Sequence, residues 1–358
     1  MASDRFTGGN PGLARLHAYP FQRLRRLLDG VHPATTAVPV PLSIGEPKHP
    51  VPEFVAEAFR AGVDSGLGRY PATTGTSELR AAIARWLHWR FQLAEASVDP
   101  ERHILPAAGT REALFAVTQA LLDPTQRPAV FMPNPFYQIY EGAALLAGGH
   151  PRLLNTDGDG IPDLDAIPER EWAECGLIYL CSPGNPTGRV LSQSFWDQLF
   201  AIRDRHGFVI AADECYSELY RDEDAPPLGL LQAGQAAGRD DFNGCLVFHS
   251  LSKRSNLPGL RSGFIAGDPA LIEAFTAYRT YQGCALPFHA QQASLAAWGD
   301  EVHVHDNRTA YRRKFTQARK ILADVAPYAE PEAGFYIWLP VPGGDDEGFT
   351  RALYADTA

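Results

Sequence analysis

A chain of 358 residues that is 45% hydrophobic, 21% charged and 11% aromatic can bury a large core in about two domains, which excludes a disordered chain, a fibre or a disulfide-stapled miniprotein. The formal net charge of −10, from 32 Lys and Arg against 42 Asp and Glu, argues against nucleic acid or an anionic membrane as the main partner. No apolar run reaches the roughly 18 residues of a membrane span, and the opening MASDRFTGGN lacks the pattern of a secretory leader, so a cytoplasmic location is expected. The five cysteines (Cys175, Cys181, Cys215, Cys245 and Cys284) form no C-x-x-C pair and read as reduced, mostly buried thiols.

In chain order, the first 48 residues are rich in Arg and Pro, and Pro33, Pro39 and Pro41 make 34–41 an extended connector. Leu79, Ile83 and Trp86 fall on one face and predict a helix over 78–89, capped by Thr76 or Ser77. Gly109-Thr110 opens a second helix to about residue 122. Strands follow at 130–132 and 177–181. Phe195, Leu199 and Ile202 mark a helix that stops at Gly207. Three strands are next: 208–212 ending on Asp213, 246–249 ending on Ser250, and 263–266. Leu271, Ile272, Phe275 and Tyr278 mark another helix, and a long charged one covers about 307–325. Apolar strands alternating with amphipathic helices predict an α/β fold with a mostly parallel sheet covered on both faces. Ligands of such folds sit beyond the carboxyl ends of the strands.

Several local motifs fail on inspection. Asn155 to Gly160 resembles the start of a calcium loop, but Ala166 stands where a bidentate Glu is required, and a surface turn is expected. His303 and His305 read as the start of a solvated helix rather than a metal site. The segment 66–71 has Pro71 in place of the third Gly of a dinucleotide fingerprint, and 182–188 lacks the Gly-Lys ending of a P-loop.

Four segments at strand ends or helix starts remain, and together they form one chemical kit. Lys253 can hold an aldehyde as a Schiff base. Asp213 at a strand end can keep a pyridine nitrogen protonated. The helix start at Thr110, the Ser250 hydroxyl and the Arg261 guanidinium can bind a phosphate. Asn185 and Tyr216 can hydrogen-bond a phenolate oxygen. Pyridoxal phosphate carries all of these groups.

The ordered segments G-T-R (109–111), N-P-T-G (185–188), D-E-C-Y (213–216), S-L-S-K (250–253) and P-G-L-R-S-G (258–263) resemble the fold-type I, class I/II pyridoxal-phosphate aminotransferases, over about residues 45–338. The resemblance implies that Lys253 carries the cofactor, Asp213 partners its ring nitrogen, and Asn185 and Tyr216 bind its ring oxygen. It implies a phosphate site of Ser250, Ser252, Arg261 and the backbone of Thr110 and Arg111, with Tyr137 stacked on the ring. It implies a homodimer in which Tyr70 reaches the partner's phosphate, and a loop near the substrate carboxylate that includes Gly45. It also implies a large cofactor domain of residues 49–288 beside a small domain built from 1–48 and an incomplete 289–358, with amino acids and 2-oxo acids as substrates. Metal, nucleic acid and membrane have no place in it.

The segments 42–50, 133–142, 213–220, 249–264 and 278–283 resemble more closely the N-succinyl-LL-diaminopimelate aminotransferases of bacterial lysine biosynthesis, in which a His commonly stands where this chain has Gln282. That implies transfer between glutamate and N-succinyl-2-amino-6-oxopimelate, with Lys48 and the Arg23, Arg25 and Arg26 cluster as candidate groups for its carboxylates. The family's carboxylate-binding arginine follows the segment that matches Gly334 to Leu339. No arginine up to Ala358 matches it, because Arg351 comes too early and on a predicted helix; either the chain continues or the carboxylate is bound otherwise. An aminotransferase for another amino acid (aspartate, an aromatic one or acetylornithine), a pyridoxal-phosphate β-lyase, a pyridoxal-phosphate-sensing regulatory domain and a catalytically silent relative stay open as alternatives.

Overall fold

Seven short apolar runs pair into one sheet in the order β1-β7-β6-β5-β4-β2-β3. They are β1 (Ile104–Ala107), β2 (Ala129–Asn134), β3 (His150–Asn155), β4 (Cys175–Cys181), β5 (Val209–Asp213), β6 (Cys245–Ser250) and β7 (Gly263–Gly267). The structure is a computed structural model, and it describes residues 9–34, 38, 40–126, 128–156, 158–283, 285–326 and 328–357. The α/β architecture and the mostly parallel sheet agree with the sequence reading. The exception is β7, which runs antiparallel to both β1 and β6.

Alternate residues of the central strands feed two cores, as the period-2 geometry of a strand requires. Ile178, Ile210 and Val247 face one side with Trp86, Trp172 and Trp196. Tyr179, Ala211, Leu246 and Phe248 face the other, with Leu114, Val117 and Tyr140. Register then fixes the site: Cys181 lies opposite Asp213, Asp213 opposite Phe248, and Ser250 opposite Gly263. The polar ends of β4, β5 and β6 therefore share one edge of the sheet.

Helix boundaries follow from capping. Thr76 Oγ1 accepts from the Leu79 amide at 3.3 Å and opens the helix Ser77–Phe91. Gly207, at φ +78°, ends the helix Gln193–His206. The helix Phe288–Trp298 crosses the helix Glu53–Gly66 so closely that a Cβ at Gly62 would lie 2.7 Å from the His289 Cα.

Some expectations need correction. β1 and β3 escape the sequence reading: β1 is only four residues long and contains Pro106, and β3 is a half-exposed edge strand with Pro151. The long charged helix starts earlier, spanning Val302–Leu322. His303 is not solvated: its side chain is 9% exposed, and its ring bonds Asp300 Oδ1 at 2.5 Å and Ser255 Oγ at 2.8 Å. Among the described residues no cluster could hold a metal ion, and no helix is long and apolar enough to cross a membrane. Cys175 and Cys245 are buried, while Cys181 and Cys215 are half-buried. Asp157 of the calcium-like turn, residues 35–37 and 39 of the connector, and Cys284 lie outside the described residues.

Leu246, fully buried on the strand that ends at Ser250, tests this packing. Leu246→Ala should cost ~2–5 kcal/mol through lost burial and a residual cavity, read by urea denaturation.

Candidate active site

A cleft of about 550 Å³ opens over the carboxyl ends of β5 and β6. The short helix Leu251–Arg254 follows β6 directly, and Ser250 caps it: its Oγ accepts from the Ser252 amide at 3.1 Å. That cap fixes the direction in which Lys253 leaves the backbone. Its ammonium nitrogen donates to the Gly45 carbonyl and sits 4.9 Å from the centroid of the Phe335 ring. Burial pulls the Lys253 pKa below that of an ordinary lysine.

Asp213, 5% exposed, ends β5 at the floor of the cleft. Its Oδ2 accepts from the Tyr140 hydroxyl at 2.8 Å and its Oδ1 from the Cys215 amide at 3.2 Å. Burial outweighs these bonds and pushes its pKa up. The Tyr216 hydroxyl pairs with the Tyr336 hydroxyl at 2.8 Å and accepts from Asn185 Nδ2 at 3.5 Å, and burial raises its pKa strongly. Tyr137 accepts from Arg111 Nε at 2.9 Å, and the same guanidinium donates to Tyr19.

The helix Thr110–Leu121 begins at the cleft, which Thr110 and Arg111 line. The preceding Gly109 has φ +91°, and a Cβ there would fall 2.4 Å from Arg261 Nη2. Glycine is thus required twice, for its backbone conformation and for the space the guanidinium occupies. Arg261 itself sits at φ +54° and donates to the Pro258 carbonyl at 3.0 Å.

The structure therefore brings together Lys253, Asp213, Asn185, Tyr216, Tyr137, Thr110, Arg111, Ser250, Ser252, Arg261 and Gly45 around one cleft. Tyr70, expected to reach a partner's phosphate site, and Lys48 do not line this cleft. Tyr70 is fully exposed to solvent outside the cleft. Lys48 pairs with Glu46 on the surface and does not line the cleft. Arg23 lines a neighbouring groove of about 380 Å³, which shares Tyr19 and Gln138 with the cleft. Sequence reading missed Tyr140 and Tyr336 as functional residues. Tyr140 had a signal, lying three residues after Tyr137 and so on the same side of a helix. Tyr336 meets Tyr216 across 120 residues of chain and had none.

These residues fit pyridoxal phosphate. A buried carboxylate bonded only by neutral donors suits a protonated ring nitrogen. A helix N-terminus facing an arginine and two serines suits a phosphate, and a lysine of lowered pKa suits an aldehyde.

Comparison with known proteins agrees. The family "Aminotransferase class I and II" matches residues 38–357. The LL-diaminopimelate aminotransferase of Nitratidesulfovibrio vulgaris is 31% identical over 310 residues, 85% of this chain and 77% of that protein. A solved aminotransferase of Neisseria meningitidis superposes with a TM-score of 0.93 at 47% identity, covering 97% of this chain and 88% of that one. The aminotransferase AspB of Helicobacter pylori gives a TM-score of 0.86 at 38% identity, covering 96% and 87%.

The raised pKa of Asp213 has a consequence for stability. Its folded value lies above the unfolded one, so its ionisation costs the cofactor-free protein stability above the folded pKa and nothing below about 3.9. Cofactor-free Asp213→Asn should thus melt higher than the parent at neutral pH. The gain should vanish as pH falls through the folded pKa, in melting curves taken across acid pH.

Proposed function

The chain belongs to the class I and II aminotransferases, which depend on pyridoxal phosphate, and we propose that it transfers an amino group between glutamate and N-succinyl-2-amino-6-oxopimelate. The observation that supports transamination is the convergence of Lys253, Asp213, Tyr216 and Arg261 on one cleft. When bound, the cofactor supplies an aldehyde that captures amines and an electron-poor ring that accepts the electron pair released at the substrate carbon.

The protein's own groups have separable tasks. Arg261, Ser250, Ser252 and the amides at Thr110 and Arg111 would hold the phosphate. Asp213 would keep a proton on the ring nitrogen, and Tyr216 with Asn185 would donate to the ring oxygen. Tyr137 would lie against the ring. Lys253, whose amine burial makes easier to deprotonate, accepts the proton leaving the substrate α-carbon at Nζ and returns it. A homodimer in which the exposed Tyr70 reaches the partner's phosphate site belongs to the same reading. So do the cytoplasmic location and a small domain of residues 1–48 and 289–358 beside a cofactor domain of 49–288.

The succinylated substrate is favoured by the groove that adjoins the cleft at Tyr19 and Gln138. It offers room for an acyl extension, and Arg23 offers a cation for its carboxylate. A second reading, the unblocked LL-diaminopimelate, is favoured by the name of the Nitratidesulfovibrio vulgaris relative.

Half-reactions of the cofactor-loaded protein separate the two. N-succinyl-LL-diaminopimelate should exceed LL-diaminopimelate, acetylornithine, aspartate and phenylalanine in kcat/KM by about tenfold or more, or ~1.4 kcal/mol. A clear win for LL-diaminopimelate selects the second reading. A win for phenylalanine or aspartate refutes both and leaves amino transfer standing.

A further inference from the structure

We infer that His49 and Asn307 form a clamp that positions Lys253, tying both ends of this residue to the segment 45–49. The inference rests on the reading of Lys253 as the reactive lysine.

Asn307 lies on the helix Val302–Leu322 and is 4% exposed. Its Nδ2 donates to the carbonyls of Lys253 and Arg254, both at 3.2 Å. These belong to the last turn of the one-turn helix Leu251–Arg254, where carbonyls have no partner within the helix. Two carbonyls can only accept, so the amide nitrogen must face them, and Oδ1 is left for the other side. There it accepts from Asn256 Nδ2 at 3.0 Å and from His49 Nδ1 at 2.7 Å. An amide offers two donors and an oxygen with two lone pairs, so every hydrogen-bonding position of Asn307 is used. The same geometry fixes the proton of His49 on Nδ1.

His49 lies four residues after Gly45, whose carbonyl accepts from Lys253 Nζ. The segment 45–49 therefore grips the amine directly and the backbone of the same lysine through Asn307. The His49 ring packs 4.5 Å from the Tyr311 ring, which places it against the helix that carries Asn307. Two features suggest a device rather than incidental packing. Asn256, which donates to the same Asn307 oxygen, is buried at φ +55°, a left-handed conformation that asparagine tolerates and that this bond helps to hold. And segment 43–45 lines the cleft, so its position is sensed where substrate enters. His49 and Asn307 touch no reacting atom in this account; they act through Lys253.

The test uses three variants and two readouts. His49→Phe keeps a ring against Tyr311 and loses the donor. His49→Asn places an amide nitrogen close to where Nδ1 stands. Asn307→Asp keeps both acceptor roles and loses both donors. The first readout is competitive acetylation of the cofactor-free, folded protein with limiting acetic anhydride, comparing the Lys253 and Lys320 peptides by mass spectrometry. The second is kcat and KM of the loaded enzyme.

His49→Phe and Asn307→Asp should raise Lys253 labelling relative to Lys320 roughly fivefold, and lower kcat about tenfold with KM within about twofold. His49→Asn should return both values toward the parent. Parental labelling and kcat in His49→Phe, or an Asn variant as impaired as the Phe variant, overturns the clamp. If His49→Phe does not fold, Asn307→Asp decides by the same two readouts. Labelling is read without cofactor or substrate, so its outcome is separate from that of the amino-transfer reading, which fails instead if the cofactor attaches to another lysine.

Discussion

Asp213 is a carboxylate held at 5% exposure on the end of a central strand, hydrogen-bonded by the Tyr140 hydroxyl and the Cys215 amide, both neutral. An ion in that position costs several kcal/mol unless a cation faces it. Elsewhere the chain supplies the cation. Glu218 is buried even more deeply, yet Arg90 lies 2.6 Å from it and Arg308 3.4 Å. Burial raises the Glu218 pKa, but Arg90, Arg254 and Arg308 outweigh it and the net shift is downward. At Asp213 the shift is upward. The contrast fits the role proposed for Asp213, that of partner to a protonated ring nitrogen.

Lys253 shows the same logic with the opposite sign. Burial lowers its pKa and favours the neutral amine, the form that attacks an aldehyde and accepts a proton. Strand register delivers the two groups to one edge, since β5 and β6 are neighbours in the sheet and end at Asp213 and Ser250. Tyrosines support these groups. Tyr140 stacks on Tyr179 at 4.5 Å with the planes within 9°, which holds the hydroxyl that donates to Asp213. Tyr336 reaches Tyr216 from the far end of the chain.

Much of this was legible in the sequence because it is local. Strands 177–181, 208–213 and 246–250 are apolar runs ending in polar residues, and the Gly109-Thr110 helix start is encoded within a few residues. What escaped was long-range or atypical. β1 and β3 carry prolines and little pattern. The partner of Asp213 lies 73 residues away and that of Tyr216 lies 120 away. His49 meets Asn307 across 258 residues, and no spacing rule connects them. Lys48, expected as a cation for the substrate carboxylates, pairs with Glu46 and does not line the cleft, while the exposed Tyr70 is expected in a partner's site rather than in this one.

The central claim is that Lys253, buried beside the end of β6, carries the cofactor while Asp213 faces its ring nitrogen. The protein loaded with pyridoxal phosphate should be yellow. Borohydride should fix the cofactor on a single peptide, the one containing Lys253, as read by mass spectrometry after digestion. Attachment at any other lysine, or none, contradicts the account.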